Sequence, residues 1–548
     1  MQTKQLTAAV FSVLIVISLI GMILDVMAPD GALYASISKT MYLNNDFINL
    51  YSLGEDWLDK PHLPFWLTAL SFKIFGVNSF AYKLPGVLVF ATGVYYTYLF
   101  AKKYYSRQTG IYAAIILATA LHSVLSNFDV RAEPFLTGFI IAAVYHFSFV
   151  VDRFDTKHLL IGSIFAACAM MTKGVFTLVP IVAALGGQLL LQKKWKSLFS
   201  FKWLLALVLI ALFTLPEIYT LYQQFDLHPE KTVFGKQGVS GVRFFFWDSQ
   251  FGRFFNTGPI VNHNGSVFFF LHTLLWAFLP WALLFYLASV LKIKAFFKNP
   301  GFNREYYSFF AAFTAILMFS LSKFQLAHYT NIIFPFMAII TADFIGKLQE
   351  KSIALTRTTT YILNGLSGLI LVAIPLVYYL LAPEFNWIFV LGSILCIALV
   401  VLINKHFKQQ TITKVFYRTT VVYLLVYLFM MTQFYPTLLA YQAGVKAAEW
   451  SNENLQRIHT VKEQHADFGF EFYLNTPHTR VPYSEVSRYS GQHFFVSQEQ
   501  LSQLTSTALT YKILASFDHF RITKLNLKFA NAKTRAQAVQ KSYVIQLD

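Results

Sequence analysis

The chain has 548 residues, of which 56% are hydrophobic and 13% charged, and its mean hydropathy is +0.50. Soluble domains carry about 25% charge, so these figures exclude a disordered chain and a purely soluble one and point to a multi-span membrane protein. The 44 Lys and Arg exceed the 27 Asp and Glu by 17, a balance that suits either nucleic acid or basic loops beside a membrane.

A helical span needs about 20 mostly apolar residues. The pattern predicts spans at 6–28, 79–101, 108–126, 134–151, 203–222, 266–291, 306–322, 329–346, 360–381, 386–404 and 416–435. The first follows a short basic start, is too long for a signal peptide and has no small-residue cleavage site, so it reads as an uncleaved span. Run 158–192 is read as two spans broken at Thr172-Lys173-Gly174. A single span would put Lys193, Lys194, Lys196 and Lys202 on the face opposite Arg153 and Lys157. The total is thirteen. With the N-terminus inside, every inside loop is basic, from Lys102, Lys103 and Arg107 through Lys292, Lys294, Lys298 and Arg304 to Lys351, Lys405, Lys408 and Arg418. The positive-inside rule then accounts for most of the excess charge, and no nucleic-acid partner is expected. Cys168 and Cys396 both lie in apolar runs, which argues against a disulfide framework or a cysteine metal cluster.

The outer side holds the polar interest. Loop 29–62 contains Asp30, Asp46, Glu55, Asp56, Asp59, Lys60 and His62. Within it 31–44 reads as an amphipathic interfacial helix. Segment 62–77 is apolar but short, as in a juxtamembrane or re-entrant helix. Further outer elements are the loop 127–133, the break at Lys173, the long loop 223–265 with Trp247, Asp248, Gln250, Arg253 and His263, and the stretch 322–328 with Lys323. After residue 435 the chain turns polar, and 436–548 reads as a small α/β domain on the outer side. It has helix-like 442–457 and strand-like 468–474, 510–516 and 542–547. The domains are thus a membrane domain, 1–435, and this tail.

Acids at a membrane surface are costly unless used or paired. Asp30, Asp129 and Glu133 share the outer level with the cations Lys60, Arg131, Lys173, Arg253 and Lys323. A phosphate leaving group needs charge stabilisation rather than a proton donor. An acceptor hydroxyl needs a carboxylate base. Acids and cations at a lipid–water boundary therefore suit glycosyl transfer from a lipid-phosphate sugar. Simpler roles compete for each residue. Asp30 could cap the helix that follows it, Glu133 could favour a helix dipole, Asp129 and Arg131 could pair only with each other, and Lys60, Lys173 and Lys323 could snorkel. No dense His/Asp/Glu spacing calls for a divalent metal, and the chemistry requires no cofactor.

Seven stretches, in order, resemble the GT-C membrane glycosyltransferases, in particular the protein O-mannosyltransferase-like and ArnT-like group. Pro29-Asp30-Gly31 through Ala35 is similar to that group's first acidic loop, and Lys60-Pro61-His62-Leu63 with Trp66 to its KPPL-aromatic-W segment. Glu133-Pro134 through Thr137 resembles the second acidic loop, and Thr172-Lys173-Gly174 the TKG break. Trp247 through Phe254, Leu279-Pro280-Trp281, and Ser322-Lys323 through Tyr329 and Pro335 resemble its later motifs. The matches cover roughly 6–340. The resemblance implies an inverting glycosyltransferase (hexosyl- or pentosyl-) of the bacterial inner membrane, using a polyprenyl-phosphate sugar on the periplasmic side. The acceptor would be lipid A, another envelope glycan or a protein. It implies Asp30 as the principal catalytic acid, with Lys60, Arg253, Lys323 and Tyr329 around the donor phosphate. Glu133 and Asp129 are the further catalytic candidates, and Arg131, Lys173 and Gln250 the further binding candidates. Two departures stand out: Gly31 occupies the place where the family often has a second acid, and the second-loop acid is Glu133 rather than Asp.

A secondary transporter or lipid flippase is the main competing reading. Such proteins place polar residues at the bilayer midplane in repeated halves, whereas here the ionisable clusters lie at span ends and no repeated half is seen. A scaffold presenting 436–548 leaves the acid–cation clustering unexplained.

Overall fold

A computed structural model describes residues 3–262, 265–298, 305–348, 353–407, 411–462, 467–507 and 509–548. His263, Arg304, Lys351 and Lys408 lie outside the described residues. Eight of the described helices are long and apolar enough to cross a membrane, nine if the bent pair Arg107–Ala118 and Leu121–Phe128 is one span. The other four expected spans fall on helices that are too short, broken or not apolar enough by that measure: Thr156–Lys173, Leu178–Leu191 after a 3-10 turn, Phe269–Ala277 followed by Ala282–Lys298, and Tyr307–Leu321. Length and composition thus single out fewer spans than the thirteen expected.

Helix Glu133–Asp152 is the hub. Its apolar stretch is 89% buried inside the protein, against 17% for Ile353–Leu381 and Trp387–His406, which turn apolar side chains outward as lipid-facing helices do. Small residues let it sit close to its neighbour Ser79–Tyr104: a Cβ on Gly138 would lie 2.2 Å from the Val89 carbonyl oxygen. Such backbone approach is what small residues permit between membrane helices.

The bent pair turns by 54°, which frees backbone groups that lipid cannot satisfy. Neighbouring helices supply the partners. Tyr427 Oη donates to the Thr119 carbonyl at 2.6 Å, Trp281 Nε1 donates to Thr119 Oγ1 at 3.1 Å, and Leu121 N donates to the Leu279 carbonyl at 2.9 Å. The bend aims Phe128 and Asp129 at the end of the bundle where Glu133 and Lys173 also lie.

The helical run from Ile412 continues to Leu439, past the expected boundary at 435. Beyond it lies a five-stranded sheet in the order His478–Val481, Ile458–Val461, His493–Ser497, Gln540–Leu547, Tyr511–His519. The first three strands run parallel and the last two pairings are antiparallel. Segment 468–474 is a helix, Phe468–Tyr473, and not the expected strand. Its alternating aromatics mimic a strand, but the Asp467 carboxylate accepts the Phe470 N–H at 3.1 Å and starts a helix. The expected helix at 442–457 is Ala443–Asn454.

This region is bonded to the end of the bundle that carries the acids. The Lys39 ammonium, on helix Asp30–Asn44, donates to the carbonyls of Glu471 at 3.2 Å, Phe472 at 3.0 Å and Leu474. Tyr473 Oη accepts the Val26 N–H and the Gln442 amide accepts the Ala28 N–H, both at 2.8 Å.

Candidate active site

Three loops converge at that end of the bundle. The helix after Pro29 begins at Asp30 itself, and no side chain caps it, so the expected capping role for Asp30 is not seen. Its carboxylate accepts from Arg131 Nη1 at 2.6 Å, while Arg131 Nη2 lies 3.1 Å from Asp129. Asp30 is the open member of the trio, with its side chain 55% exposed against 12% for Asp129. Burial pulls the Arg131 pKa down, but Asp129, Glu133 and Asp30 outweigh it and keep the guanidinium charged. Arg131 thus bridges two acids, Asp30 and Asp129. Burial, with Asp30 and Glu133 adding to it, pushes the Asp129 carboxyl up against the pull of Arg131.

Gly31 explains how Asp129 comes so close. A Cβ at Gly31 would lie 2.8 Å from Asp129 Oδ1. That oxygen is buried and has no hydrogen-bond partner. The acid missing beside Asp30 in sequence is therefore matched by one brought in from the loop 127–133.

The second group is built on Asp59. Its carboxylate takes Lys60 Nζ at 2.5 Å on one oxygen and Arg253 Nη2 on the other. Burial works to raise the Asp59 pKa, but the two cations outweigh it and hold the carboxyl below its usual range. Burial lowers Lys60 to about 8, with Asp59 opposing. For Arg253 burial works downward as well, yet Asp59 and its other neighbours carry the net shift upward.

The third group surrounds Glu133, at the start of the hub helix. Lys173 Nζ lies 2.8 Å from Glu133 Oε1, and His328 Nε2 lies 3.7 Å from the same oxygen. Lys173 also sits over the Tyr329 ring, 4.2 Å from its centre. The break that presents Lys173 depends on Gly174, whose φ of +102° suits glycine. A Cβ there would collide with the Gln250 amide at 2.2 Å. Gln250 closes on this break, donating to the Lys173 carbonyl at 3.2 Å and accepting the Phe176 N–H at 3.3 Å. It braces the turn, and its amide is largely spent on backbone.

Lys173, Gln250, Arg253 and Tyr329 line one cavity whose remaining walls are mostly apolar, among them Leu136, Phe176, Phe254, Met318 and Phe324. Two cations and a phenol in a mostly apolar cavity fit an anionic head on an apolar chain. Lys323 does not join them. Its side chain is exposed and outside this lining, while its backbone N–H bonds Phe254 and its carbonyl accepts from Gly265. Among the described residues no group of three or more His, Cys, Asp or Glu is placed to hold a metal ion.

The sequence reading missed Asp59 as the link between the cations. It also gave no role to Tyr34, a half-buried residue whose hydroxyl pKa desolvation, with Asp59 and Glu133 adding to it, pushes well up. Glu217 was missed too, although an acid inside the apolar run 203–222 is itself a signal that a partner is required.

A model of the family described as dolichyl-phosphate-mannose-protein mannosyltransferase matches residues 59–219. That range holds Asp59, Lys60, Asp129, Arg131, Glu133 and Lys173, but neither Asp30 nor Arg253 and Tyr329. The chain is 28% identical over 264 residues to an undecaprenyl phosphate-alpha-4-amino-4-deoxy-L-arabinose arabinosyl transferase of Pseudomonas aeruginosa, covering 46% of this chain and 44% of the relative. It is 27% identical over 362 residues to the protein of the same name from Edwardsiella ictaluri, covering 63% and 61%. The matches thus span between about half and three-fifths of these relatives' length. The fold is similar over its whole extent to crystal structures of ArnT from Cupriavidus metallidurans. For the form bound to undecaprenyl phosphate the TM-score is 0.76 at 16% identity, covering 99% and 98% of the two chains. For the apo form the TM-score is 0.74. Family model, relatives and fold point the same way: the chain is a multi-span membrane protein with the fold of ArnT, similar in sequence to the arabinosyl transferases.

Proposed function

We propose that the chain transfers a sugar from a polyprenyl-phosphate donor to an envelope acceptor, with inversion at the anomeric carbon. The site would face the periplasm from the inner membrane, with the N-terminus in the cytoplasm and residues 436–548 forming a periplasmic domain. The acceptor is lipid A, another envelope glycan or a protein. The observation that carries this reading is the division of charge at one end of the bundle. Lys60 and Arg253 meet on Asp59 beside a cavity that Arg253 enters with Lys173 and Tyr329. Asp30 stands apart from these cations, held by Arg131 and half open to solvent.

The chemistry follows from that division. The polyprenyl phosphate leaves with its negative charge, which Lys60, Arg253 and the Tyr329 hydroxyl are placed to stabilise. The acceptor hydroxyl loses its proton to Asp30 as it attacks the anomeric carbon. A base on one side of the sugar and the phosphate on the other give an in-line displacement, hence inversion. Arg131 aims the Asp30 carboxylate through its 2.6 Å contact, and Glu133 fixes Lys173.

The test uses purified protein, undecaprenyl-phosphate sugars and an envelope-lipid acceptor fraction, with product followed by mass spectrometry. Asp30→Asn is expected to lower transfer by at least 100-fold while undecaprenyl phosphate still binds. Undiminished transfer would remove Asp30 from the mechanism. Movement of donor across proteoliposomes without covalent product would favour a flippase instead.

A further inference from the structure

Beside Lys60 lies a buried pair that the chemistry above does not use. His62 and Glu217 are both 0% exposed. Glu217 sits inside the apolar helix Phe201–Leu221, where an unpartnered acid would be costly. It has partners on both oxygens. Oε2 accepts the His62 backbone N–H at 2.9 Å, and Oε1 lies 3.0 Å from His62 Nδ1. The far ring nitrogen, Nε2, lies 2.9 Å from the Ile48 carbonyl. Both ring nitrogens therefore face oxygens, and Thr220 Oγ1 lies 3.4 Å from Nδ1 as well.

The bidentate grip matters because of where it falls. His62 is two residues from Lys60 and three from Asp59, with only Pro61 between His62 and Lys60. The pair therefore fixes the backbone that aims the Lys60 ammonium. The π-helical turn Tyr222–Asp226 that continues this helix reaches the loop a second time: Gln224 accepts the Leu50 N–H at 2.9 Å and donates to the Leu50 carbonyl and to Asp56 at 2.9 Å. In the KPPL pattern that this segment resembles, a second proline stands where this chain has His62. Proline stiffens a backbone through its ring; here the stiffness comes from a side chain anchored in a span.

We propose that His62 and Glu217 form a latch that positions Lys60 for the donor phosphate. The inference rests on the function proposed above. Glu217 and His62 are positioning residues, since neither enters the cavity lining.

Reach and charge can be separated. Glu217→Gln keeps the length: its carbonyl can accept the His62 N–H while its amide donates to Nδ1. Glu217→Asp keeps the charge but is one methylene shorter and cannot serve both groups. Titration of the full-length protein in detergent with undecaprenyl phosphate should show Glu217→Gln within about threefold of wild type and Glu217→Asp weakened about tenfold or more. With a sugar donor, KM should rise in Glu217→Asp while kcat changes less than threefold. A buried acid that served only as a stabilising charge would give the reverse order. Binding by Glu217→Asp within twofold of wild type, or equal loss in both variants, would overturn the latch. Hydrogen exchange at the amides of Asp59, Lys60 and His62 reads the latch without ligand. Exchange should quicken in Glu217→Asp and stay slow in Glu217→Gln, and unchanged exchange in both would also overturn it. Failure of wild type to bind undecaprenyl phosphate would instead count against the proposed function.

Discussion

Lys60 has a side chain only 14% exposed and pairs with Asp59, which Arg253 also claims. Two cations on one carboxylate leave a net positive charge, which suits a site waiting for an anion. Burial lowers the Lys60 pKa to about 8, so the free protein loses that charge as pH rises through about 8. Two consequences have opposite signs. Between about 8 and the ordinary lysine value near 10.4 the unfolded chain binds more protons than the folded one, so Lys60 adds stability as pH rises through this window. Anion binding weakens over the same window. The expected result is an undecaprenyl phosphate Kd that climbs as pH passes from 7 to 9 in wild type and stays flat in Lys60→Arg, because guanidinium does not titrate there. Equal slopes would assign the titration to another group. Gly31 shows the opposite kind of residue, one that matters for what it lacks. Its missing side chain admits the Asp129 carboxylate, so the second acid comes from another loop.

Between elements, buried lysines act as helix caps. Lys83 donates to the carbonyls of Gly21 at 2.9 Å, in the last turn of helix Thr3–Ile23, and Leu24 at 2.8 Å, just past its end. Lys39 does the same for helix Phe468–Tyr473. Carbonyls at a helix end lack partners and carry partial negative charge, so an ammonium from another element answers both needs. Lys39 ties the helix that starts at Asp30 to the region that carries the sheet. Lys39→Met should remove about 2 kcal/mol, seen as a lower unfolding midpoint in detergent with faster hydrogen exchange over 468–474. An unchanged midpoint would show that the three bonds only offset the cost of burying the charge. Much of this architecture is legible in sequence and some is not. Each expected span corresponds to a helix or a helix pair because apolar runs of that length have no other way to satisfy their backbone in lipid. Asp30, Lys60 and Glu133 stand out because ionisable residues are scarce in such a chain. Which partner each takes depends on contacts far apart in sequence. Arg131 bridging to Asp30, and Glu217 reaching His62, are of that kind. Lys323 looked like its neighbours in sequence, and only the turn of its backbone leaves it outside. The helix at Phe468–Tyr473 was misread because a cap at Asp467 outweighed an alternating pattern.

At the scale of the whole molecule, charge is sorted along the bundle. The acids and cations of the site gather where helix Glu133–Asp152 begins, and Lys103 meets Asp152 at 3.2 Å where that helix ends. The sheet region is bonded to the first of these ends through Lys39, Gln442 and Tyr473. These contacts require the sheet region and the site to share one side of the membrane, whichever side that is. The positive-inside rule then predicts the side, because the basic segment with Lys193, Lys194 and Lys196 follows helix Leu178–Leu191, which starts near the site and runs away from it. Single cysteines decide the matter in a background where Cys168 and Cys396 are alanine. Thr257, Ser506 and Lys196 are all exposed. In cells whose outer membrane has been permeabilised, a membrane-impermeant maleimide should label Thr257→Cys and Ser506→Cys at once, and Lys196→Cys only after the inner membrane is lysed. Labelling of Thr257→Cys and Ser506→Cys on opposite sides would contradict the fold itself. Labelling of all three in the reverse order would keep the fold but invert the chain, and would place the proposed sugar donor in the cytoplasmic leaflet.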